Sequence, residues 1–425
     1  MKRSEKIDRK IEYGLMDNGP SSATLAEIYK LLSFGDPTLI QESAKDIRSL
    51  FDQTDLKGLD LARPVELEGI GFLDGATHEA KKAGTINTIK VQKGKLIGFN
   101  TDYYGFKKLL IKKRIYVKGK KCLILVDNGS VGYIKMALQS LGAAEINAVK
   151  LKADKTFENI EGFLDHEILI NTTSVGAYPD NGSLVIALDP FKSLEGVVDL
   201  ISDPFNSRLV LEAKRRKIRA SGGLLMTVYR AKRSLEIFME TKIPDHKADQ
   251  AFRTLVDHRR NIILVGMPGS GKTSISRKLA QRLGKEHVDT DKEFLKVYGR
   301  TPGEMIEAQG EAAFRVLESR LAEEIGKRQC LVISTSGGMV TKDENYYHLK
   351  QNGPVILIER DLAKLSTKNR ILSRGGMPTL ITMKKKRRAN YELFSNIKVT
   401  NNRSFRYCLE EIVNILREDI NDLWL

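Results

Sequence analysis

The segment Gly266-Met-Pro-Gly-Ser-Gly-Lys-Thr273 decides the fold of the C-terminal part of the chain. It follows an apolar run, Asn261 to Val265, that predicts a strand, and it precedes a helical pattern from Ser274 to Leu283. Glycines in such a loop let successive backbone N–H groups converge on phosphate oxygens at the helix N-terminus. Lys272 would neutralise the outer phosphates and the Thr273 hydroxyl would ligate Mg²⁺, so the segment predicts a nucleotide site in a parallel α/β domain.

Short apolar runs alternate with helical patterns along the rest of the chain. The clearest of these runs are Lys121–Val126, Glu167–Asn171, Gly196–Leu200, Leu331–Ser334 and Pro354–Ile358. Strands of this length, separated by helix-length segments, are typical of βαβ units and predict an α/β fold with parallel sheets. Two such patterns begin near residues 121 and 261, and the charged segment 240–260, which has no apolar run, is predicted to join them.

Composition and charge exclude several classes of protein. The chain has 425 residues, 41% hydrophobic and 29% charged, which is typical of globular domains rather than of disordered chains. No run approaches the roughly 18 apolar residues of a membrane helix, so we expect a cytoplasmic protein without a membrane partner. The net charge of +16 comes without a nucleic-acid-binding motif, and this combination favours small anionic ligands over nucleic acid. Cys122, Cys330 and Cys408 are too widely spaced for a metal knuckle, and nothing specifies an oligomeric state.

Two acidic residues follow the phosphate loop where a second parallel strand would end. Asp289 and Asp291 come after a short apolar step, and the alternation of a strand directs both carboxylates to one side. The carboxyl edge of a parallel sheet faces the ligand crevice. One acid can hold magnesium through water while the other accepts a proton from an attacking hydroxyl.

Arginines and glycines further along the chain suit a carboxylate-bearing acceptor. Arg315 and Glu318 are three residues apart in a helical segment, so Glu318 can hold the guanidinium in place. Gly337 and Gly338 follow a predicted strand, and their missing side chains let backbone amides approach a ligand. Arg387 lies in a basic helical segment, and paired arginines favour a carboxylate-bearing acceptor. Gluconate and a nucleotide are the alternative acceptors.

Together these motifs resemble shikimate kinase, over nearly all of residues 256–425. The resemblance rests on the phosphate loop, Asp289-x-Asp291, Phe314-Arg315-x-x-Glu318, the glycine cluster, the spacing of Arg387 and Tyr391, and Thr400-Asn-Asn-Arg403. It implies phosphorylation of the shikimate 3-hydroxyl by ATP with Mg²⁺, in aromatic amino acid biosynthesis. It also implies site residues: Lys272 and Asp291 for catalysis; Gly269, Ser270, Gly271, Lys272, Thr273, Ser274, Arg374 and Arg403 for ATP; Thr273 and Asp289 for the metal; and Asp291, Arg315, Gly337, Gly338 and Arg387 for shikimate.

The chain departs from the shikimate kinase pattern in three places. The family's Gly-Gly-Gly reads Ser336-Gly-Gly338, and the lid motif Arg-Pro-Leu-Leu reads Met377-Pro-Thr-Leu380, followed by a short span to Arg387. The lid arginine is therefore missing from its expected place, and Arg374 or Arg370 is expected to serve the phosphates instead.

The N-terminal half resembles shikimate dehydrogenase over about residues 12–240. The matching segments are Ala83–Thr88, Gly94–Phe106, Asn171–Gly176, Asp199-Leu200 with Pro204, and Met226–Tyr229. The resemblance implies a substrate domain, a Rossmann-like domain for NADP, and substrate contacts from Asn87 and Asp102.

The residues that this redox chemistry requires are replaced. The family's Asn-Val-Thr-x-Pro-x-Lys aligns with Asp60–Glu66, so Glu66 stands where the proton-transfer lysine belongs. The nucleotide loop carries Asp127 at its first glycine, and an acid there would repel a pyrophosphate, which argues against NADP as a cofactor. The family's substrate glutamine is Arg230.

We therefore predict a fusion with three parts. Residues 1–244 form a dehydrogenase-like region, with a substrate part at about 1–110 and 225–244 and a Rossmann-like part at about 115–224. Residues 245–258 form a linker, and residues 259–425 form a shikimate kinase domain that carries the activity. The alternatives are a bifunctional dehydrogenase and kinase, and a kinase whose N-terminal half senses a metabolite.

Overall fold

Three β-sheets organise the chain in the computed structural model. The structure describes residues 13–16, 21–32, 37–40, 47–67, 71–127, 129–153, 156–157, 159–365 and 376–418. Two of the three sheets are entirely parallel, with helices in the connections between their strands. The predicted α/β class with parallel sheets is confirmed.

The first sheet is mixed and has the strand order β2-β1-β3-β5-β6-β4. Its strands are β1 (Tyr13–Met16), β2 (Thr38–Ile40), β3 (Gly58–Glu66), β4 (Gly75–Ala76), β5 (Thr85–Gln92) and β6 (Lys95–Phe99). The accompanying helices are α1 (Ser21–Leu31), α2 (Ile47–Gln53), α3 (His78–Ala83) and α4 (Asp102–Lys112). The central strand β5 is buried along most of its length, so the polar residues Asn87 and Thr88 lie inside the fold.

The second sheet is parallel and has the strand order β11-β10-β9-β7-β8. Its strands are β7 (Lys121–Val126), β8 (Glu145–Lys150), β9 (Ile168–Asn171), β10 (Gly196–Asp199) and β11 (Arg219–Ser221). Helices α5 (Gly132–Ser140), α6 (Arg208–Arg215) and α7 (Leu224–Met239) follow β7, β10 and β11 in the chain. Helix α7 packs against α4 so closely that a Cβ at Gly105 would lie 2.6 Å from the Met226 carbonyl oxygen.

The segment predicted to be a linker forms helix α8 (Asp245–Arg259). Its apolar residues Ala248, Ala251 and Leu255 recur at helical spacing and are buried. Asp245 and Asp249 pair with Lys108 and Lys112 at 2.5 and 2.7 Å. Charged residues between the apolar ones hide this pattern in the sequence, because no apolar run results.

The third sheet is parallel and has the order β13-β14-β12-β15-β16. Its strands are β12 (Ile262–Val265), β13 (Glu286–Asp289), β14 (Leu331–Ser334), β15 (Val355–Glu359) and β16 (Ile397–Thr400). Its helices are α9 (Lys272–Leu283), α10 (Thr290–Tyr298), α11 (Pro302–Lys327), α12 (Asn345–Lys350), α13 (Gly376–Phe394) and α14 (Phe405–Arg417). The central strand β12 runs directly into the phosphate loop, which therefore lies at the carboxyl edge where parallel sheets bind ligands.

The chain divides into two compact units. The first comprises residues 1–174, 185–202 and 212–255, and the second comprises residues 175–184, 203–211 and 256–425. Among the residues that the structure describes, no helix combines the length and the apolar character that crossing a membrane requires.

Candidate functional site

The phosphate loop takes the backbone path that its sequence predicts. Strand β12 ends at Val265 and helix α9 begins at Lys272. Gly266 and Gly271 have φ angles of 147° and 98°, which side-chain-bearing residues rarely adopt. A Cβ at Gly271 would also lie 2.5 Å from Asn401 Nδ2, so the loop has no room for a side chain there. The loop therefore presents its backbone, rather than side chains, to a ligand at the helix N-terminus.

Lys272 and Thr273 stand at the start of this helix. Lys272 is 6% exposed, and its ammonium donates hydrogen bonds to the carbonyl oxygens of Gly266 at 2.9 Å and Met267 at 3.0 Å. Thr273 Oγ1 lies 3.2 Å from Ser334 Oγ at the end of β14. Both side chains are thus within the loop that would hold a phosphate, the lysine as a cation and the threonine as a hydroxyl ligand.

Asn401, which follows β16, contacts the phosphate loop, and it was part of the quoted motif Thr400–Arg403 but not among the predicted site residues. Its side-chain amide donates to the Ser270 carbonyl oxygen at 2.8 Å, and its backbone N–H donates to the Glu359 carbonyl oxygen at 2.7 Å. It therefore ties the phosphate loop to the ends of β15 and β16. The nearby Arg403 is exposed and its guanidinium lies 4.7 Å from the centre of the Tyr407 ring, and Ser274 is exposed on α9.

The two acids at the end of β13 have different surroundings. Asp289 is the last residue of the strand and Asp291 already lies in helix α10, so the prediction that strand alternation aligns both carboxylates is wrong. Asp289 caps helix α10, because its Oδ1 accepts hydrogen bonds from the backbone N–H groups of Asp291 at 3.2 Å and Lys292 at 3.3 Å. Asp291 lies in the first turn of α10 and is exposed. Between them, Thr290 Oγ1 accepts the backbone N–H of Ser336 at 3.0 Å, so this turn adjoins the glycine segment after β14.

Arg315 and Arg387 line one cleft of about 720 Å³ in the second unit, which we call the arginine cleft; its lining residues are Glu311, Arg315, Thr341, Pro378, Thr379, Thr382, Met383, Lys386, Arg387 and Asn390. Arg315 Nη1 donates to Glu318 Oε2 at 2.6 Å, which is the i,i+3 pair that the sequence predicts. Burial lowers the pKa of the Arg315 guanidinium, but the Glu318 and Glu311 carboxylates outweigh it and raise that pKa. The cleft therefore holds a fixed positive charge.

Gly337 and Gly338 fit closely between the arginine cleft and the phosphate loop. The Gly337 carbonyl oxygen accepts hydrogen bonds from Arg387 Nη1 at 2.9 Å and from the Tyr391 hydroxyl at 2.6 Å. Burial raises the pKa of that phenol to about 12, so it remains a donor. A Cβ at Gly338 would lie 2.0 Å from Arg315 Nη2, so only glycine leaves the guanidinium where it is.

Two further residues that hold Arg315 or its partner Glu318 in place were not among the predicted site residues. Glu311 Oε1 accepts hydrogen bonds from Arg315 Nη2 at 2.9 Å and Nε at 3.3 Å. The Ser336 hydroxyl donates to Glu318 Oε1 and accepts the Gly338 backbone N–H at 3.3 Å. The i,i+4 spacing of Glu311 and Arg315 was a signal available in the sequence. The predicted ATP ligand Arg374 and its alternative Arg370 lie outside the described residues.

In the first unit, the Arg230 side chain lies beside Asp102, one of the predicted substrate residues. Its Nη2 donates to Asp60 Oδ1 at 3.1 Å and to the Leu61 carbonyl oxygen at 2.6 Å, and its Nε lies 3.6 Å from Asp102 Oδ1. The Tyr29 hydroxyl donates to the other oxygen of Asp60. Burial raises the pKa of both carboxyl groups, and the Arg230 guanidinium opposes that rise. We call Arg230, Asp60, Asp102 and Tyr29 the Arg230 cluster.

Asn87 and Glu66, two other residues predicted for this site, differ in their burial. The Asn87 side-chain carbonyl is fully buried and accepts the backbone N–H of Thr101 at 2.8 Å and its hydroxyl at 3.1 Å. Glu66 is exposed at the end of β3, where it pairs with Thr85 across the sheet. Tyr133 of α5 is buried, and burial followed by the Asp102 carboxylate raises its pKa. The structure brings Asn87 and Asp102 together. Position 66 supplies the Glu66 carboxylate instead of the lysine ammonium of the dehydrogenase pattern.

Comparisons with known proteins match the two parts separately. The family model described as Shikimate kinase matches residues 268–417. A shikimate kinase of Pelotomaculum thermopropionicum is 36% identical over 166 residues, which cover 37% of this chain and 96% of that protein. A shikimate dehydrogenase (NADP(+)) of Clostridium beijerinckii is 30% identical over 215 residues, which cover 48% of this chain and 79% of that protein.

A solved structure also matches the N-terminal part. It is a chorismate mutase/shikimate 5-dehydrogenase fusion protein from Clostridium acetobutylicum, which is 27% identical, has a TM-score of 0.52, and is matched over 57% of this chain and 96% of its own length. Together with the phosphate loop, the arginine cleft and the two parallel sheets, these matches show that the chain is a fusion that belongs to the shikimate dehydrogenase family through its N-terminal half and to the shikimate kinase family through its C-terminal part.

Proposed function

We propose that the C-terminal part transfers the γ-phosphoryl group of ATP to the 3-hydroxyl of shikimate, and that the N-terminal half has no redox activity. The observation that carries the first statement is the arginine cleft beside the phosphate loop. Gly337 accepts from Arg387, and a Cβ on it would meet Pro268 of the loop at 2.6 Å, so the acceptor cleft and the phosphate loop share one wall.

The residues of the loop fit ATP and Mg²⁺. The backbone at Gly271 leaves no space for a side chain, Lys272 is a buried cation that donates to two backbone carbonyl oxygens, and Thr273 carries a hydroxyl. When bound, ATP supplies the phosphoryl group and Mg²⁺ neutralises the charge that develops during its transfer. Lys272 would exchange the carbonyl oxygens of Gly266 and Met267 for phosphate oxygens, which are stronger acceptors because they are charged.

The acceptor's carboxylate would bind Arg315 and Arg387, and its hydroxyl would face Asp291. Arg315 is held on one side by Glu318, which fixes the direction of the guanidinium before the substrate arrives. Asp291 is an exposed carboxylate at the start of α10, next to the turn that holds Ser336, and it is the group that would accept the hydroxyl proton. Asp289 serves as the helix cap and would meet the metal through water.

The N-terminal half does not fit NADP-dependent oxidation of shikimate. The Arg230 guanidinium occupies the surroundings of Asp102, where a substrate hydroxyl would need to bind. Glu66 is exposed and negative where an ammonium is required, and Asp127 stands at the first position of the nucleotide loop. Each defect blocks a different requirement, namely the binding of substrate, the transfer of its proton and the binding of the cofactor's pyrophosphate.

The test uses the full-length chain with shikimate and either Mg-ATP or NADP, and follows ADP and reduced nicotinamide separately. We expect magnesium-dependent ADP formation and no reduced nicotinamide. Lys272→Ala should abolish ADP formation, whereas Lys278→Ala, an exposed lysine of the same helix, should leave it unchanged.

Two results would contradict the proposal, and a third would favour one of its alternatives. ADP formation with another acceptor but not with shikimate would remove the substrate assignment. Steady formation of reduced nicotinamide, especially in the Lys272→Ala chain whose kinase is silent, would support a bifunctional enzyme instead. Tight binding of shikimate that survives in a variant with both cleft arginines replaced would support a metabolite-sensing N-terminal half.

A further inference from the structure

Arg315 holds two carboxylates that differ in how firmly they are fixed. Glu318 is 3% exposed, bonds Arg315 Nη1 at 2.6 Å and also receives the Ser336 hydroxyl on its other oxygen. Glu311 is 45% exposed and bonds Arg315 through one oxygen only, at 2.9 Å to Nη2 and 3.3 Å to Nε. Glu318 is therefore a permanent partner of the guanidinium, while Glu311 lies at the open side of the arginine cleft.

The edge of Arg315 that Glu311 occupies is the one that suits a carboxylate ligand. The Nε and Nη2 groups of an arginine present two parallel N–H donors, and carboxylates bind this edge with two hydrogen bonds. Nη1 is already engaged by Glu318. A substrate carboxylate that approaches Arg315 from the cleft therefore meets donors that Glu311 already uses.

The backbone before Glu311 gives its carboxylate a second place to go. Helix α11 is interrupted at Gly310, which has φ 85° and ψ 163°, so Glu311 begins a new helical segment. The first turn of a helix has backbone N–H groups without intrahelical partners and a positive electrostatic potential. A carboxylate released from Arg315 is stabilised there, which lowers the cost of exchanging one partner for another.

We propose that Glu311 is an internal competitor for the substrate carboxylate: it occupies Arg315 while the cleft is empty and is displaced when shikimate binds. This inference rests on the proposed function, since it takes shikimate as the acceptor. The exchange trades one carboxylate for another on the same donors, so an anionic acceptor can replace Glu311, and a neutral polyol would have to break an ion pair without forming one. Glu311 thereby lowers the affinity for every acceptor and excludes neutral ones.

The test compares full-length Glu311→Gln and Glu311→Asp with the unchanged chain. Glutamine removes the charge, and aspartate keeps the charge on a side chain that is one methylene shorter, which weakens its pairing with Arg315. Both changes should lower the dissociation constant of shikimate, measured by calorimetry without nucleotide, by about two- to fivefold, the range expected from losing a partly exposed ion pair. Glu324→Gln removes a charge from the same helix, where Glu324 pairs with Lys327, and should leave this constant unchanged.

The outcomes separate this inference from the proposed function. If the unchanged chain forms no ADP with shikimate, the proposed function fails. If it does, and the dissociation constant is unchanged or raised in both Glu311 variants, Glu311 does not compete and the inference is overturned. An effect of glutamine alone would also overturn it, because the cause would then be the net charge of the cleft. The KM for ATP, which should not change, verifies that each variant is folded.

Discussion

Replacement of Gly338 by alanine should weaken shikimate binding by moving Arg315. The backbone at Gly338 has φ −102° and ψ −2°, which alanine adopts without strain, so the effect is steric alone. The new Cβ would lie 2.0 Å from Arg315 Nη2 and 2.2 Å from Cζ. The guanidinium must therefore retreat by roughly 1.5 Å to reach van der Waals distance. That movement stretches its 2.6 Å bond to Glu318 and misdirects the donors that face the cleft.

The expected loss follows from the strength of one such contact. A hydrogen bond between charged groups contributes about 1.5–3 kcal/mol. Since each 1.4 kcal/mol corresponds to about tenfold in affinity, the KM for shikimate should rise about 10- to 150-fold. The KM for ATP should stay within about twofold, because the three atoms nearest to a Cβ at Gly338 all belong to Arg315.

The neighbouring glycine provides the matched comparison. A Cβ at Gly337 would lie 2.6 Å from Pro268 Cδ and 3.0 Å from Pro268 N, so Gly337→Ala should raise the KM for ATP. Gly162→Ala is the control, because a Cβ there would meet nothing within 4 Å in the described part of the chain. Steady-state ADP formation with each substrate varied in turn measures both constants. The reasoning is refuted if Gly338→Ala leaves the KM for shikimate unchanged, or if it raises the KM for ATP as much as Gly337→Ala does.

Three other changes test separate parts of the molecule. Asp291→Asn should lower kcat at least tenfold with little change in ATP affinity, because it removes the proton acceptor and no phosphate contact; retained turnover would assign the proton to another group. Asn401→Ala should raise the KM for ATP several-fold, since the Ser270 carbonyl loses its anchor at 2.8 Å, and an unchanged KM would show that the loop holds its shape alone. Arg230→Gln should lower the free energy of unfolding of the first unit by about 3–5 kcal/mol, because it leaves buried carboxylates without their cation. Chemical denaturation followed by hydrogen exchange measures this change, and a smaller loss would show that water enters the site and takes the place of the guanidinium.

The sequence was sufficient for the features that depend on short spacings. The strands at 121, 261 and 331, the phosphate loop and the Arg315–Glu318 pair all depend on residues within one element or its neighbours. Local patterns of this kind carry their own physical cause, whether alternation, helical period or the dihedral freedom of glycine. The roles given to these site residues in catalysis and binding stay predictions.

The features that sequence reasoning missed depend on distant partners or on disguised patterns. Arg230 was recognised as a replaced glutamine, but its pairing with Asp60 joins residues 170 positions apart, which no local pattern indicates. Asn401 acts on the phosphate loop across 131 positions. Helix α8 was missed because buried alanines alternate with charges, and a run of apolar residues is not the signature of such a helix.

The Arg230 cluster also makes single substitutions at Asp60 and Arg230 depend on each other. Asp60 stands where the dehydrogenase pattern has asparagine, and Arg230 stands where it has glutamine, so the two replacements brought in opposite charges that meet at 3.1 Å in a buried site. Arg230→Gln alone would leave the buried carboxylate of Asp60 without its cation. Asp60→Asn alone would leave the Arg230 guanidinium with Asp102 as its remaining carboxylate partner in the cluster. Each single substitution therefore lowers the stability of the fold, although the two substitutions together leave the net charge unchanged. The pair therefore resists single replacement, because either single change passes through a variant that is less stable than both the charged pair and the neutral pair.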